Sequence, residues 1–157
     1  MMNNIMLKDV LLLVVAIGGC ILIGAISGMT ANSTEGYSNI EMPVGSPPGW
    51  VFPIVWFILY ALMGLSLWMV YRAGNDYIFY ILFAAQLILN FLWTPLFFGH
   101  GHMELAMVDL VAMWVIVLVM IYLTWSKGLE VAAYLLIPYI VWLTFAGYLN
   151  AGAIYLN

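Results

Sequence analysis

Five long apolar runs alternate with polar segments along the chain. The runs cover residues 10–29, 47–71, 77–98, 103–125 and 129–154. Each is close to the ~20 residues that a helix needs to cross a hydrocarbon core of ~30 Å. The links at residues 72–76, 99–102 and 126–128 are short, which favours antiparallel neighbours. The pattern predicts an all-α integral membrane protein, with a single domain over residues 1–157 built as a bundle of five transmembrane helices.

The composition supports a membrane location. The 157 residues are 67% hydrophobic and 6% charged, which is too apolar for a soluble domain of this size. The formal net charge of −4 and the lack of a basic run argue against nucleic-acid binding. The first run also resembles a signal peptide that ends near Cys20, but it continues to Met29 and is therefore expected to stay as a span.

The basic residues predict an orientation. Lys8, Arg72 and Lys127 are the three bases of the chain, and five spans place all of them on the same side. The positive-inside tendency then puts the N-terminus inside and the C-terminus outside.

The longest link, residues 30–46, is polar, and long loops in compact domains are commonly lids or binding loops. We therefore predict a lid between the first and second helices. Ser46 is a candidate N-cap for the second helix, with Pro47 at the first helical position.

Three helices are predicted to carry a proline that leaves a backbone carbonyl without its helical partner. Such a carbonyl needs another partner in a bilayer. The prolines and the carbonyls that they free are Pro53 with Gly49, Pro95 with Phe91, and Pro138 with Tyr134.

The same three helices carry aromatic and polar residues along one face. These are Phe52, Trp56, Tyr60 and Gly64 on the second helix, Phe83, Gln86, Asn90, Trp93 and Phe97 on the third, and Trp142, Ala146 and Asn150 on the fifth. Packing and interhelical hydrogen bonds explain each face alone, and ligand contact is the alternative. The combination on three helices favours a small-molecule site.

Three further features have two interpretations each. Asp109 lies inside the fourth span, where an unpaired carboxylate is costly, so it is either functional or a hydrogen-bond anchor. The small residues Cys20, Gly24 and Gly28 indicate helix packing or a dimer interface. His100 and His102 lie near Glu104, but the chain has no other His and a single Cys, so we expect a solvated loop and no metal.

Ordered motifs on four helices resemble the TspO/MBR family, which comprises bacterial tryptophan-rich sensory proteins and the mitochondrial translocator protein, or peripheral benzodiazepine receptor. The motifs are Pro43 with Ser46-Pro47-Pro48-Gly49-Trp50-Val51-Phe52-Pro53 and Trp56, Ala85-Gln86-Leu87, Asn90-Phe91-Leu92-Trp93-Thr94-Pro95, Phe97-Phe98-Gly99, Ala106-Met107-Val108-Asp109, and Pro138-Tyr139 with Trp142, Ala146 and Leu149-Asn150.

The resemblance implies a five-helix bundle, usually dimeric, that binds porphyrins such as protoporphyrin IX, sterols and benzodiazepine-site drugs without a required cofactor. The first loop would act as a lid, and the protein would lie in a bacterial membrane. By position, the ligand-binding residues would be Tyr37, Trp56, Tyr60, Asn90, Trp93, Trp142, Ala146 and Leu149.

Two segments depart from the family pattern. The loop before the double proline reads Met42-Pro43-Val44-Gly45-Ser46, without the lysine and tryptophan that the family usually has there. The C-terminal residues 151–155 lack the arginine or lysine of the cholesterol motif found in animal members. The predicted lid therefore lacks an aromatic ring and a cation that could hold a porphyrin face or propionate, and the second departure argues against sterol binding.

Three functions remain open on the sequence. The first is a porphyrin-binding tetrapyrrole sensor or transporter. The second is a light- and oxygen-dependent porphyrin-degrading activity, in which the resemblance makes Trp56 and Trp142 the catalytic tryptophans. The third is a small proton-coupled exporter that uses Asp109.

Overall fold

The computed structural model describes residues 2–30, 33–74, 76–99 and 101–157, and all regular structure in these ranges is helical. The elements are α1 (Met2–Thr30), the short α2 (Ser33–Ser38), α3 (Val51–Ala73), α4 (Tyr77–Thr94), a π-helix (Pro95–Gly99) that continues α4, α5 (Met103–Ser126) and α6 (Glu130–Leu156).

Five helical segments are long and apolar enough to cross a membrane. They are Met6–Met29, Val51–Ala73, Tyr77–Gly99, Met103–Ser126 and Glu130–Leu156. The five predicted spans are therefore confirmed, and the chain is a multi-pass integral membrane protein.

The long helices close into a ring in the order α1, α3, α6, α5, α4. The short links place α4 beside α5 and α5 beside α6, as predicted. The link between α3 and α4 is also short, but α3 packs mainly on α1 and α6. It reaches α4 through long side chains that cross the centre of the ring.

Small residues allow α1 to approach α3 closely. A Cβ atom on Gly64 would lie 2.6 Å from the Cα of Ile17, and one on Gly24 would lie 1.9 Å from the Tyr60 ring. Cys20 is buried on the same side of α1. At Cys20 and Gly24, the small residues thus serve packing within the chain, which is one of the two interpretations of this stripe.

The predicted start of the second helix is wrong, because α3 begins at Val51 and not at Pro47. Ser46 caps no helix, since its hydroxyl donates a hydrogen bond of 2.6 Å to the carbonyl of Pro43. Pro53 lies in the first turn of α3, where its missing N–H costs nothing. The carbonyl of Gly49 is not free either, because it accepts the N–H of Phe52 at 3.4 Å.

The segment between α1 and α3 is partly helical and is fastened to α6. We call residues 39–50 the α2–α3 loop. Gly152 leaves room for Pro43, since a Cβ there would lie 2.4 Å from the proline ring. The hydroxyl of Tyr148 donates to the carbonyl of Val44 at 2.7 Å. The side chain of Asn157 exchanges hydrogen bonds of 3.1 and 3.0 Å with the backbone of Glu41.

The opposite end of the bundle holds the bases. Arg72 pairs with Asp9 at 3.3 Å, which ties the end of α3 to the start of α1. Lys127, just after α5, pairs with Asp76, whose carboxylate also caps α4 by accepting the N–H of Phe79 at 3.2 Å. The hydrogen bond from Lys127 holds the pKa of Asp76 below its usual range. These contacts place the predicted basic side at one end of the ring.

We predict that Gly64→Ala destabilises the bundle by about 1–3 kcal/mol, because the added methyl group would collide with the backbone of α1. Thermal unfolding in detergent would measure the loss. Gly18→Ala is the matched control, since a Cβ at Gly18 meets nothing within 4 Å. An equal melting temperature for the two variants would contradict the close α1–α3 contact.

Candidate functional site

A chain of hydrogen bonds crosses the centre of the ring. The hydroxyl of Tyr60 on α3 donates to Oδ1 of Asn90 on α4. Nδ2 of Asn90 donates to the hydroxyl of Tyr139 on α6 at 3.1 Å. The Tyr139 hydroxyl donates in turn to Oε1 of Gln86 at 2.9 Å. The sulfur of Met113 on α5 lies 3.2 Å from the same hydroxyl oxygen. Four helices thus share one polar network.

The network is buried in the part of the protein that lies in hydrocarbon. Gln86 is 1% exposed, Asn90 4% and Tyr139 1%. A polar group in this setting is costly unless it is paired, and each of these groups has a partner. The expectation that Gln86 and Asn90 point into the bundle is therefore confirmed, and both amides form interhelical hydrogen bonds.

Aromatic rings stack against this network. Trp56 stacks on Tyr60, with ring centroids 5.3 Å apart and planes at 28°. The rings of Trp56 and Tyr139 pack edge to face, with centroids 6.1 Å apart. The Tyr60 and Tyr139 hydroxyls are in the network, so these contacts couple the rings to the polar centre.

A second set of rings extends the stack toward the α2–α3 loop. The rings of Phe52 and Trp142 pack edge to face, with centroids 5.8 Å apart. The Tyr37 ring packs on Phe52, with centroids 5.0 Å apart. The Tyr37 hydroxyl donates a hydrogen bond of 2.6 Å to the carbonyl of Pro47. We call the combined group the aromatic cluster, and its members are Tyr37, Phe52, Trp56, Tyr60, Tyr139 and Trp142.

Trp93 lies in a separate group near the loop end of α4. It stacks on Phe97, with centroids 4.8 Å apart and planes at 13°. Its indole N–H donates to Oδ1 of Asn150 at 3.3 Å, and Nδ2 of Asn150 donates to the carbonyl of Met103 at 3.0 Å. Asn150 therefore links α4, α5 and α6, and Trp93 contacts neither Trp56 nor Trp142 by ring stacking.

The carbonyl that Pro95 was predicted to free has a partner. The hydroxyl of Ser27 on α1 donates a hydrogen bond of 2.8 Å to the carbonyl of Phe91. The chain continues beyond Thr94 as the π-helix, a form that lacks the usual i to i+4 pairing. At Pro138, by contrast, α6 runs through without a break.

Asp109 is 8% exposed, and its Oδ2 has no hydrogen-bond partner among the described residues. Two contacts between α5 and α6 bracket it, Met103 with Asn150 on one side and Met113 with Tyr139 on the other. This pairing places Asp109 level with residues 143–144 of α6. The buried carboxyl therefore lies between the network and the loop.

Most of the predicted site residues come together. Tyr37, Trp56, Tyr60 and Trp142 form most of the aromatic cluster, and Asn90 is bonded to it. Ala146 and Leu149 are buried on the same helix, 9% and 4% exposed.

The prediction missed Tyr139, which is the centre of the network. Its position three residues before Trp142 was the available signal, because side chains three apart share a helix face. Phe52 belongs to the predicted stripe, and the structure adds its contacts with both Tyr37 and Trp142.

The histidine loop is only partly described. His100 lies outside the described residues, whereas His102 and Glu104 are exposed at the start of α5. Among the described residues, no three His, Cys, Asp or Glu side chains are grouped as a metal site would require.

Comparison with known proteins identifies one family and several relatives. The model of the TspO/MBR family matches residues 11–156. The tryptophan-rich protein TspO of Chlorobaculum tepidum is 36% identical over 157 residues, which cover 96% of this chain and 98% of that protein. The tryptophan-rich sensory protein of Cereibacter sphaeroides is 38% identical, over 85% of this chain and 84% of that protein. The translocator protein of Bos taurus is 35% identical, over 73% and 70% of the two chains.

We predict that Tyr139→Phe destabilises the protein by about 1–3 kcal/mol, because the lost hydroxyl leaves Gln86 and Asn90 with unpaired groups in hydrocarbon. Thermal unfolding in detergent would measure this. Tyr134→Phe makes the same chemical change on the same helix at a residue that is 52% exposed, and it should have little effect. Equal stability of both variants would refute a network centred on Tyr139.

Proposed function

Because the chain belongs to the TspO/MBR family, we propose that it is a membrane receptor for a flat, largely apolar small molecule, and that it acts as a tetrapyrrole sensor or regulator. The proposed ligand is a porphyrin such as protoporphyrin IX. The name of the Cereibacter sphaeroides relative, a sensory protein, supports a signalling role.

The observation that carries this proposal is the aromatic cluster beside a hydrogen-bonded amide. Rings from α2, α3 and α6 pack on one another, and Tyr60 of this group is hydrogen-bonded to Asn90. Aromatic rings bind flat conjugated molecules by stacking, and a few polar groups fix the orientation. Trp56 and Trp142 are both half-buried, so each keeps part of its surface available.

The rings of the aromatic cluster pack on one another, so a bound ligand would replace ring–ring contacts with ring–ligand contacts. Tyr37 is the member of the cluster that lies on the short α2, at the end of the bundle. Its hydroxyl is held by the hydrogen bond to Pro47. We propose that this end, with the α2–α3 loop, is the entrance to the site.

The orientation and assembly are also proposals. The end with Lys8, Arg72 and Lys127 would face inward, so that the α2–α3 loop and the C-terminus face outward. The homodimer that the family resemblance implies would be detected by cross-linking in the native membrane.

We predict that Ala146→Leu weakens protoporphyrin binding about tenfold or more, because a larger side chain would fill space beside the aromatic cluster. Titration of the porphyrin absorbance band with protein in nanodiscs would measure the dissociation constant. Ala151→Leu is the matched control, since Ala151 is on the same helix and exposed.

The second variant for this test is Trp142→Ala, which removes a ring from the cluster and should weaken binding in the same direction. Unchanged affinity in Trp142→Ala and Ala146→Leu, with both proteins folded, would refute this position for the ligand.

We predict that a cysteine at Glu41 is labelled from outside the cell and one at Lys127 is not. A membrane-impermeant maleimide on intact cells would measure this, because the native Cys20 is buried and should react little. Labelling of Lys127→Cys but not Glu41→Cys would reverse the proposed orientation.

A further inference from the structure

The α2–α3 loop makes a tight turn at residues 43–46, which we call the Pro43 turn. The N–H of Ser46 donates to the carbonyl of Pro43 at 3.2 Å, and the hydroxyl of Ser46 donates to the same carbonyl at 2.6 Å. Gly45 has a φ of 88°, a left-handed value that glycine adopts without strain. The turn therefore has its own hydrogen bonds, and Val44 lies at its tip.

Three contacts with α6 show how far the loop descends along the bundle. Each joins a loop residue to a residue of α6, and the pairs are Glu41 with Asn157, Pro43 with Gly152, and Val44 with Tyr148. As the loop proceeds, its partners move from the end of α6 toward the middle of that helix. From Asn157 to Tyr148 the distance along the axis is about 13 Å, at a rise of about 1.5 Å per residue. The loop therefore runs down the flank of α6 and turns back at Val44.

The length of α6 places this turn at the boundary of the hydrocarbon core. The 27 residues of α6 extend about 40 Å, whereas the core is about 30 Å thick. At the opposite end, the rings of Trp125 and Tyr134 pack with centroids 5.2 Å apart, and such aromatic residues are typical of the membrane interface. A core that begins at Tyr134 ends about 20 residues later, near Ile154. Tyr148 and the Pro43 turn beside it therefore reach the depth of the acyl chains.

The surface of the turn suits lipid better than water. Val44 is 93% exposed, although the rest of the turn is fastened to α6. A crevice of about 530 Å³ lies between the loop and the end of α6, and the side chains of Met42, Val44, Tyr155 and Leu156 line it. The carbonyls of Pro43 and Val44 both accept hydrogen bonds from side chains, so contact with hydrocarbon does not leave these two acceptors unpaired.

We propose that the Pro43 turn inserts Val44 into the lipid leaflet at the loop end of the bundle, where acyl chains cover Val44 and fill the crevice. The interaction is hydrophobic, because Glu41 is the only charged residue among residues 36–50 and no base is present to bind anionic headgroups. Lipid then acts together with the three contacts on α6 to hold the loop in place. This inference goes beyond the proposed function and does not depend on the ligand.

The first test measures the depth of Val44 by fluorescence. A nitrobenzoxadiazole label is placed on Val44→Cys or on Glu41→Cys, in the full chain with Cys20→Ala, in phosphatidylcholine nanodiscs. A lipid with a spin label near the top of its acyl chain should quench the label at position 44 about threefold more than the label at position 41, and iodide in the water should show the reverse order. Equal quenching of both labels by iodide, without quenching by the lipid, would overturn the inference.

Anionic lipid distinguishes insertion from attraction to headgroups. Addition of phosphatidylglycerol to the nanodiscs should leave the lipid quenching at position 44 unchanged, because the turn has no base. Quenching that appears only with the anionic lipid would contradict a hydrophobic insertion.

Hydrogen exchange tests the insertion without a label. Val44→Asp puts a charge at the depth of the acyl chains and should speed exchange of the backbone amides of residues 41–46 about tenfold, because the loop then leaves α6 more often. Val44→Leu is the matched control, since it keeps the turn apolar and should not speed exchange. Tyr148→Phe removes only the hydrogen bond to the carbonyl of Val44. Faster exchange in Tyr148→Phe but not in Val44→Asp would show that protein contacts alone hold the turn, and would overturn the inference.

Discussion

The structure depends on one constraint, which is that hydrocarbon offers no hydrogen bonds to a polar group. Each buried amide must therefore find its partner within the protein. Tyr139 meets this need for Asn90 and Gln86 at once, and Asn90 also binds Tyr60. The network joins helices that do not all pack directly on one another, so it fixes α3 and α4 across the centre of the ring.

The aromatic cluster follows from the network. The hydroxyls of Tyr60 and Tyr139 are held by amides, so their rings have fixed positions on which Trp56 packs. Phe52 then bridges Trp142 to Tyr37, at the end closed by the α2–α3 loop. The same arrangement suits a flat ligand, because the polar centre orients it and the ring faces supply contact area. Asp109 stands apart as the buried carboxyl whose Oδ2 the described residues leave unpaired.

Close packing sets the order of the helices around this centre. Gly64 and Gly24 bring α1 against α3, and Gly152 lets Pro43 of the loop rest on α6. A side chain at any of these positions would push the two segments apart. The charged pairs Asp9–Arg72 and Asp76–Lys127 lie at the opposite end and join the helix termini there. The bundle is thus held by small residues along its length, by the network at its centre and by ion pairs at one end.

The sequence alone determined that the protein lies in a membrane, that it has five spans and which helix faces point inward. Hydropathy and the 3.6-residue helical period suffice for this, because both depend only on the order of residues. It also assigned Trp56, Tyr60, Asn90 and Trp142 to one candidate site. The tertiary structure decided which residues meet. Tyr139 became the centre of the network, Trp93 joined Asn150 instead of the cluster, and α3 began at Val51. Helical periodicity gives the direction of a side chain but not its partner, since the partner depends on which helix packs opposite.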